Sequence, residues 1–296
     1  MSNIIECNAL TVRYKSTTAI HNIALSIPAG LTVGIIGPDG VGKSTLLSLI
    51  AGERVMQKGQ LQVLGGDIRD EKHRAAICSD IAYMPQGLGK NLYPTLSVEE
   101  NLQFFAKLFG HNRAQRRIRI DNLTKRTGLY PFLSRPAGKL SGGMKQKLGL
   151  CCALIHDPRL LILDEPTTGL DPNQLREIRA LIRTVGKSKT VLLSTHIMQE
   201  VEAVCDRVII INKGKILKSD TKENLLNLIG KKTVSFILDT NKAEIPDSLK
   251  KFDPIIEKNK LFLNYDKNKT KLKEIINILN NNNISFNEIN THESDL

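Results

Sequence analysis

The chain of 296 residues carries a formal net charge of +12 and is long enough for about two domains with a sizeable core. Its 41% hydrophobic and 24% charged residues are typical of a soluble globular protein, and its apolar runs are far shorter than the ~18 residues of a membrane span. With 4% aromatic residues and no tryptophan, the composition does not favour a base-stacking surface for single-stranded nucleic acid.

Two further features concern the cellular compartment. Residues 1–6 show no basic segment ahead of an apolar run, so we expect no secretion signal and a cytoplasmic protein. The five cysteines are an odd number without C-x-x-C spacing, which argues against a disulfide framework and a zinc site. We expect them to be reduced residues that mostly serve packing.

The first predicted elements are strands. Residues 10–14 and 20–27 alternate between apolar and polar side chains, which predicts a small antiparallel layer. Residues 31–36 are a short apolar run suited to a buried strand, and residues 46–50 continue as an apolar helical segment. The segment between this strand and this helix carries the clearest motif of the chain.

Residues 37–45 read GPDGVGKST and match the phosphate-binding pattern G-x-x-x-x-G-K-S/T at every fixed position. The glycines let backbone N–H groups turn toward phosphate oxygens, the helix N-terminus adds its positive end, and Lys43 supplies a cation. Ser44 is placed to ligate Mg²⁺ and Thr45 to bond a phosphate; the alternative interpretation is a glycine-rich turn that binds nothing. The predicted nucleotide-binding residues are Gly37, Pro38, Asp39, Gly40, Val41, Gly42, Lys43, Ser44 and Thr45.

In the middle of the chain the predicted elements change from strands to helices. Residues 59–68 look like a hairpin, and residues 81–84 form a strand that Pro85 stops. Ser97 has the spacing of a capping box, and residues 97–155 are predicted to be mainly helical.

A basic cluster lies within this helical region around the single acid Asp121. Such a run usually forms a solvated face, which we favour over a surface for a partner or a lipid. Its members are Arg113, Arg116, Arg117, Arg119, Lys125 and Arg126.

The apolar runs at residues 160–163, 191–194 and 208–211 predict buried strands, and residues 174–185 and 197–205 predict helices between them. This alternation predicts an α/β fold with a parallel sheet and crossover helices.

From about residue 231 the composition becomes rich in Asn and Lys. We expect a first domain at residues 1–220, a linker at 221–230 and a small α+β module at 231–296. Strands at 234–238, 261–265 and 284–289 and a helix at 271–279 are predicted in this module. It holds eleven lysines against ten carboxylates, so +11 of the +12 net charge belongs to the preceding residues.

Two carboxylates follow the buried strand at 160–163. Asp164 and Glu165 emerge at the end of a parallel strand, where ligands bind in open α/β sheets. Asp164 can hold Mg²⁺ through water and Ser44, and Glu165 can polarise the water that attacks a γ-phosphate. The alternative interpretation is a purely structural pair of acids.

Residues 140–148 read LSGGMKQKL, a Ser-Gly-Gly turn that opens a helix and so favours an anion. This stretch resembles the signature motif of ATP-binding-cassette (ABC) ATPases. The family's other motifs occur in the expected order over residues 14–196, and the resemblance covers residues 4–220. It implies the P-loop NTPase fold, with an antiparallel layer and a helical subdomain at about residues 90–155.

The resemblance also implies roles for single residues. Tyr14 is similar to the aromatic residue that stacks on adenine, and Gln86 to the glutamine that senses Mg²⁺ and the attacking water. His196 resembles the histidine used against the γ-phosphate, and Asp171, in Gly169-Leu170-Asp171, the residue of a loop that crosses the dimer interface. Alone, each has a simpler structural explanation: strand packing for Tyr14, a surface amide for Gln86 and a core histidine for His196.

Two departures from the family pattern stand out. Asp39 replaces the usual Asn of the phosphate loop, and we expect its carboxylate to point away from the bound anion. Met144 replaces the usual Gln of the signature, which resembles the ABC-2 type exporter branch, as do residues 93–102 and the C-terminal module. In that branch the module usually continues into a final helix, which we expect this chain, ending at residue 296, to lack.

In the family, a signature motif caps the nucleotide held by the opposite cassette, so Ser141 and Gly143 are expected to bind ATP on a second copy. The resemblance implies a homodimeric MgATP-hydrolysing motor of an exporter, peripheral on the inner face of the cell membrane, with a separate permease chain. The alternative is a soluble cassette ATPase that acts on ribosomes or nucleic acid; a cassette that only binds nucleotide is disfavoured because Glu165 and His196 are both present.

Overall fold

The structure is a computed structural model that describes residues 2–14, 17–225, 231–239, 245–266, 270–282 and 284–293. The chain divides into two compact units, Met1–Asp220 and Thr221–Leu296. The linker predicted at 221–230 lies partly outside the described residues, since 226–230 are not among them.

The first unit contains two sheets and seven α-helices within the described residues. Its strands are β1 (Asn3–Tyr14), β2 (Thr17–Pro28), β3 (Thr32–Ile36), β4 (Lys58–Val63), β5 (Gly66–Asp67), β6 (Ile81–Met84), β7 (Leu160–Asp164), β8 (Thr190–Thr195), β9 (Arg207–Asn212) and β10 (Lys215–Thr221). Its helices are α1 (Lys43–Ile50), α2 (Glu71–Ile77), α3 (Val98–Leu108), α4 (Arg113–Thr127), α5 (Gly142–Leu154), α6 (Pro172–Gly186) and α7 (Met198–Val204).

The antiparallel layer has the strand order β2-β1-β4-β5. Its strands alternate, so that one face is apolar, and this face packs with α1 and with residues of the second sheet in one core cluster. The predicted layer is therefore confirmed, and β1 extends further toward the N-terminus than expected because Ile4 and Ile5 are also buried.

The second sheet has the order β10-β9-β3-β8-β7-β6. Strands β6, β7, β8, β3 and β9 pair in parallel. All residues of β7 and β8 are buried, as expected for strands covered on both faces. The predicted α/β fold with a parallel sheet is confirmed.

Helices α3, α4 and α5 share a separate core cluster. Ser97 caps α3 through the complete capping box: its hydroxyl accepts from the Glu100 N–H, while the Glu100 carboxylate accepts from the Ser97 N–H at 2.8 Å. A second capping box at Asn112 opens α4, and Gly128 ends α4 in the left-handed conformation. The predicted helical region is confirmed.

The second unit contains a four-stranded sheet and one longer helix. Its elements are β11 (Lys231–Leu238), α8 (Asp247–Lys250), β12 (Ile255–Glu257), β13 (Lys260–Asp266), α9 (Leu272–Asn281) and β14 (Phe286–Glu293). The sheet order is β12-β13-β11-β14, and its apolar residues form a core with Ile275 and Leu279 of α9. The three predicted strands and the predicted helix are present, whereas α8 and β12 were not predicted.

Among the described residues, no helix combines the length and the hydropathy needed to cross a bilayer. No disulfide joins the five cysteines, of which Cys78 is exposed and the others are buried. Burial raises the pKa of the Cys7 and Cys151 thiols to about 11. These two thiols are therefore protonated at neutral pH, which suits residues that serve packing.

Candidate functional site

Four predicted site segments meet at one edge of the parallel sheet. The phosphate loop follows β3, Glu165 follows β7, His196 follows β8, and Gln86 comes two residues after β6. Because parallel strands end at a common edge, residues far apart in sequence are brought together here.

Tight backbone packing fixes the phosphate loop at both ends. Gly42 is the N-cap of α1 and has a φ of 106°, a conformation that favours glycine. A Cβ at Gly42 would collide with the carbonyl oxygen of Ala19, and one at Gly37 with that of Ile211. The loop thus presents its backbone and the N-terminus of α1 to the cleft in front of it.

Lys43 lies at the centre of the site and is only 4% exposed. Its Nζ donates to the carbonyl oxygens of Gly37 at 2.8 Å and Pro38 at 2.9 Å. Carboxylate oxygens of Asp39 and Glu165 lie 3.5 and 3.6 Å from the same nitrogen. The ammonium group is thus held inside the loop, within reach of a phosphate that enters the cleft.

Glu165 is 6% exposed and has a φ of 48°, the left-handed region in which a residue with a side chain is strained. Its Oε2 accepts hydrogen bonds from Gln86 Nε2 at 2.9 Å and from the Thr168 hydroxyl at 3.1 Å. Its Oε1 lies 3.6 Å from His196 Nδ1. One carboxylate oxygen is thus fixed by hydrogen bonds and the other faces Lys43 and His196, as a general base requires.

Asp164 is buried, and its Oδ1 accepts from the Ser194 hydroxyl at 2.5 Å. Ser194 Oγ also accepts from the Glu165 N–H at 2.9 Å, so this serine joins the two acids. Burial, followed by the charge of Asp164, raises the pKa of Tyr83. The hydroxyl groups around Asp164 hold its carboxylate in a fixed place at the strand end.

A cleft of about 750 Å³ opens in front of these groups, a volume in the usual range for a small-molecule site. Tyr14 lies in its wall, 40% exposed, with its hydroxyl accepting from Arg54 at 2.8 Å. The predicted residues that line the cleft are Tyr14, Asp39, Gly40, Val41, Gly42, Lys43, Ser44, Thr45, Gln86 and Glu165.

Seven predicted site residues are not part of this lining. Four of them, Gly37, Pro38, Asp164 and His196, adjoin residues that line it. The other three belong to the N-terminal ends of α5 and α6. Ser141 caps α5, where its hydroxyl accepts from the Met144 N–H at 3.3 Å, and Asp171 caps α6. Gly143 is buried against Gln174. Among the described residues that form the cleft, none of these three appears.

The Asp39 side chain lies beside two groups that are predicted to bind phosphate. Its carboxylate is 80% exposed but faces the cleft, 3.5 Å from Lys43 Nζ and 3.9 Å from His196 Nδ1. The expectation that it points away from a bound anion stays a prediction, since the carboxylate lies beside the lysine that is expected to bind that anion. Asp39, Glu165 and His196 each bring a ligand atom within 4.8 Å of the others, yet the Lys43 ammonium already lies within 3.6 Å of both carboxylates.

A family model described as ABC transporter matches residues 20–168, half of the chain. The chain belongs to the ABC transporter family of ATP-binding proteins. It is an ATPase subunit.

Curated relatives agree with this assignment. The ABC transporter ATP-binding protein NatA of Bacillus subtilis is 39% identical over 71% of this chain and 85% of its own length. The probable multidrug ABC transporter ATP-binding protein YbhF of Escherichia coli is 35% identical over 75% of this chain and 38% of its own length. The iron(III) import ATP-binding protein FbpC of Escherichia coli is 36% identical over 75% of this chain and 63% of its own length. Identity alone therefore does not decide the direction of transport.

Solved structures share the fold. CbiO1 of Clostridium perfringens, described as part of the transporter complex cbiONQ, matches with a TM-score of 0.70 and 29% identity over 76% of this chain and 91% of its own. A dimeric cassette in a post-hydrolysis state, bound to ADP and Pi, matches with a TM-score of 0.67 and 26% identity over 73% of this chain and 98% of its own.

Asp39→Asn is expected to tighten ATP binding by about fivefold, the effect of one unit charge at 4 Å in water. ADP affinity should change less, because Asp39 faces His196 and Lys43, the groups expected to meet the terminal phosphate. Calorimetric titration with both nucleotides measures this difference, and the effect should shrink in 1 M salt. Asp121→Asn, on α4, is the matched control; equal ATP affinity in the wild type and Asp39→Asn would contradict the prediction.

Sequence reasoning missed some residues of the site. Thr168 donates to Glu165 Oε2, and Lys213 and Gly214 line the cleft. Thr168 follows Glu165 by three residues, and this spacing was a signal for a hydroxyl near the carboxylate. Lys213 and Gly214 follow β9 in a turn without a motif, so the sequence offered no signal for them.

Proposed function

We propose that this chain is the motor subunit of an ABC exporter, in which two copies close over two MgATP and drive a separate membrane permease. The chain would work at the cytoplasmic face of the cell membrane. The observation that carries the proposal is the incomplete site: one chain gathers the phosphate loop, Glu165 and His196 at one edge of the sheet, while Ser141 and Gly143 stand apart from them at the N-terminus of α5.

A two-fold dimer resolves this incompleteness. In a symmetric pair each surface contacts its counterpart on the other copy, so both sites are completed at once. Ser141 is exposed at the N-terminus of α5, a helix of 13 residues whose first N–H groups can bind an anion. Placed over the cleft of a second copy, this helix end would hold the terminal phosphate.

Magnesium fits the donors around the cleft. Ser44 offers a hydroxyl, Gln86 an amide oxygen and Asp164 a carboxylate, the oxygen ligands that Mg²⁺ prefers. Ser44 and Gln86 line the cleft, and Asp164 lies behind Glu165 at the end of β7. Bound by these residues, Mg²⁺ would supply positive charge against the negative charge of the phosphate groups during transfer.

Hydrolysis itself is assigned to groups of this chain. Glu165 accepts the proton of the attacking water through the oxygen that faces the cleft, while Gln86 and Thr168 keep the other oxygen in place. Lys43 and the backbone N–H groups of the loop bind the phosphates, and His196 adds a donor toward the terminal phosphate.

The surface after Gln86 suits a membrane partner. Tyr93 and Phe104 are 45% and 39% exposed, and their rings meet edge to face at 4.7 Å. Aromatic residues exposed in this way are enriched at protein interfaces. Tyr93 lies on the segment between Gln86 and α3, and Phe104 lies on α3 itself. A partner bound to this pair would therefore act on the segment that begins at Gln86, which donates a hydrogen bond to Glu165.

The test is co-expression with the multispanning protein encoded by the neighbouring reading frame, followed by purification in detergent. We expect a stable complex with two copies of this chain, weakened by Tyr93→Ala, with ATP affinity unchanged. Leu108→Ala, at an exposed apolar residue on α3, is the matched control. Salt-sensitive sedimentation with ribosomes, without any complex in detergent, would overturn the proposal in favour of a soluble cassette.

A further inference from the structure

Glu200 is a buried carboxylate for which the hydrolysis mechanism above gives no role. It lies on α7 and is only 2% exposed. A buried charge is costly unless partners compensate for it.

The Glu200 carboxylate joins three separate segments. Its Oε2 accepts from the hydroxyl of Thr195, the last residue of β8, at 2.6 Å. Its Oε1 accepts from the hydroxyl of Thr167, in the loop that follows β7. Arg179 of α6 places Nη2 3.9 Å from the same Oε1. Both carboxylate oxygens are thus used, and neither reaches the cleft.

Each of these threonines is the sequence neighbour of a residue that contacts Glu165. Thr168, next to Thr167, donates to Glu165 Oε2 at 3.1 Å. His196, next to Thr195, places Nδ1 3.6 Å from Glu165 Oε1. Glu200 therefore holds two backbone segments through its two oxygens. One segment carries Thr168, which contacts Glu165 Oε2, and the other carries His196, which faces Glu165 Oε1.

The Thr195 hydroxyl has a second bond that shapes the same turn. It accepts from the Ile197 N–H at 3.0 Å, so the chain bends around His196. Thr167 is only 5% exposed, so without Glu200 its hydroxyl could not donate its hydrogen bond to water instead. Loss of the carboxylate would release both segments together.

We propose that Glu200 is a positioning residue for ATP hydrolysis, which sets His196 and Thr168 against the two sides of Glu165. The phosphate loop is held independently, by the bonds of Lys43 to the carbonyl oxygens of Gly37 and Pro38. Glu200 thus controls the rate of the chemical step and leaves ATP affinity to the loop.

The experiment measures kcat, KM and nucleotide affinity of the full chain. Glu200→Ala is expected to lower kcat by about tenfold to a hundredfold, the scale of a misplaced catalytic group, with ATP affinity within about twofold of the wild type. Glu200→Gln should recover most of the activity, because its amide accepts from one threonine and donates to the other. Glu177→Gln, which removes an exposed carboxylate on α6, is the matched control and should leave kcat unchanged.

A combined variant tests the route of the effect. If Glu200 acts through the two hydroxyls, Thr167→Val with Thr195→Val lowers kcat as Glu200→Ala does, and adding Glu200→Ala lowers it no further. Thermal unfolding without nucleotide sets an assay temperature at which every variant is folded. An unchanged kcat in folded Glu200→Ala, a parallel loss of ATP affinity, or additive effects in the combined variant would overturn the proposal.

Discussion

Replacing Glu165 by glutamine is expected to lower ATP turnover by roughly a hundredfold or more, since general base catalysis contributes about that much. The carboxylate is 6% exposed, so little water can take over the proton. Glutamine keeps the shape and can still accept from Gln86 and Thr168, but it cannot act as a base. The measurement is single-turnover hydrolysis of labelled ATP, with size exclusion in the presence of ATP to detect the dimer.

ATP binding should survive this substitution. Glu165 lies 3.6 Å from Lys43 Nζ, and its replacement frees that cation for phosphate. We therefore expect ATP affinity equal to the wild type or higher, and an ATP-loaded dimer that persists because hydrolysis no longer reopens it. Glu99→Gln, in the first turn of α3, is the control for loss of a surface carboxylate. Wild-type turnover in Glu165→Gln would remove the base role, and a monomer with bound ATP would count against the shared site.

The segments of this site were predictable because each carries a local signal. The phosphate loop combines a fixed motif with an apolar strand before it and an apolar helix after it, and β7 is a continuous apolar run that ends in two acids. Parallel strand ends gather at one edge, so the meeting of Lys43 with Glu165 followed from the fold class. By contrast, the hydrogen bond between Gln86 and Glu165 joins residues 79 positions apart, and only the family resemblance pointed to it.

Side-chain directions and short elements escaped prediction for physical reasons. The position of the Asp39 carboxylate, 3.5 Å from Lys43 Nζ, depends on a charge pair that periodicity does not encode. Glu200 looks like an ordinary polar position of a helix, because its partners are distant in sequence or fold: Thr167 lies in the loop after β7 and Thr195 at the end of β8. Helix α2 has one buried residue in seven, too few for an amphipathic pattern.

Lys43→Ala is expected to weaken ATP binding by about a hundredfold or more, because charge-assisted hydrogen bonds to phosphate are among the strongest in a site of this kind. The loop also loses its internal donor, since Nζ is the group that bonds the carbonyl oxygens of Gly37 and Pro38. The carboxylates of Asp39 and Glu165, which lie 3.5 and 3.6 Å from the ammonium, would then face an incoming phosphate without a cation between them. Equilibrium titration with ATP and with ADP measures the loss.

A control variant distinguishes the loss of the Lys43 cation at the site from the loss of one unit of net charge on the chain. Lys125→Ala removes the same charge from α4, where Lys125 pairs with Asp121 at 2.7 Å, and should leave nucleotide affinity unchanged. A second variant, Lys43→Ala with Asp39→Asn, also removes one of these two carboxylates and should recover part of the lost ATP affinity. Recovery would show that Asp39 and Lys43 act on the same phosphate. If Lys43→Ala binds ATP as the wild type does, the loop is not the phosphate site, and the assignment of this cleft fails with it.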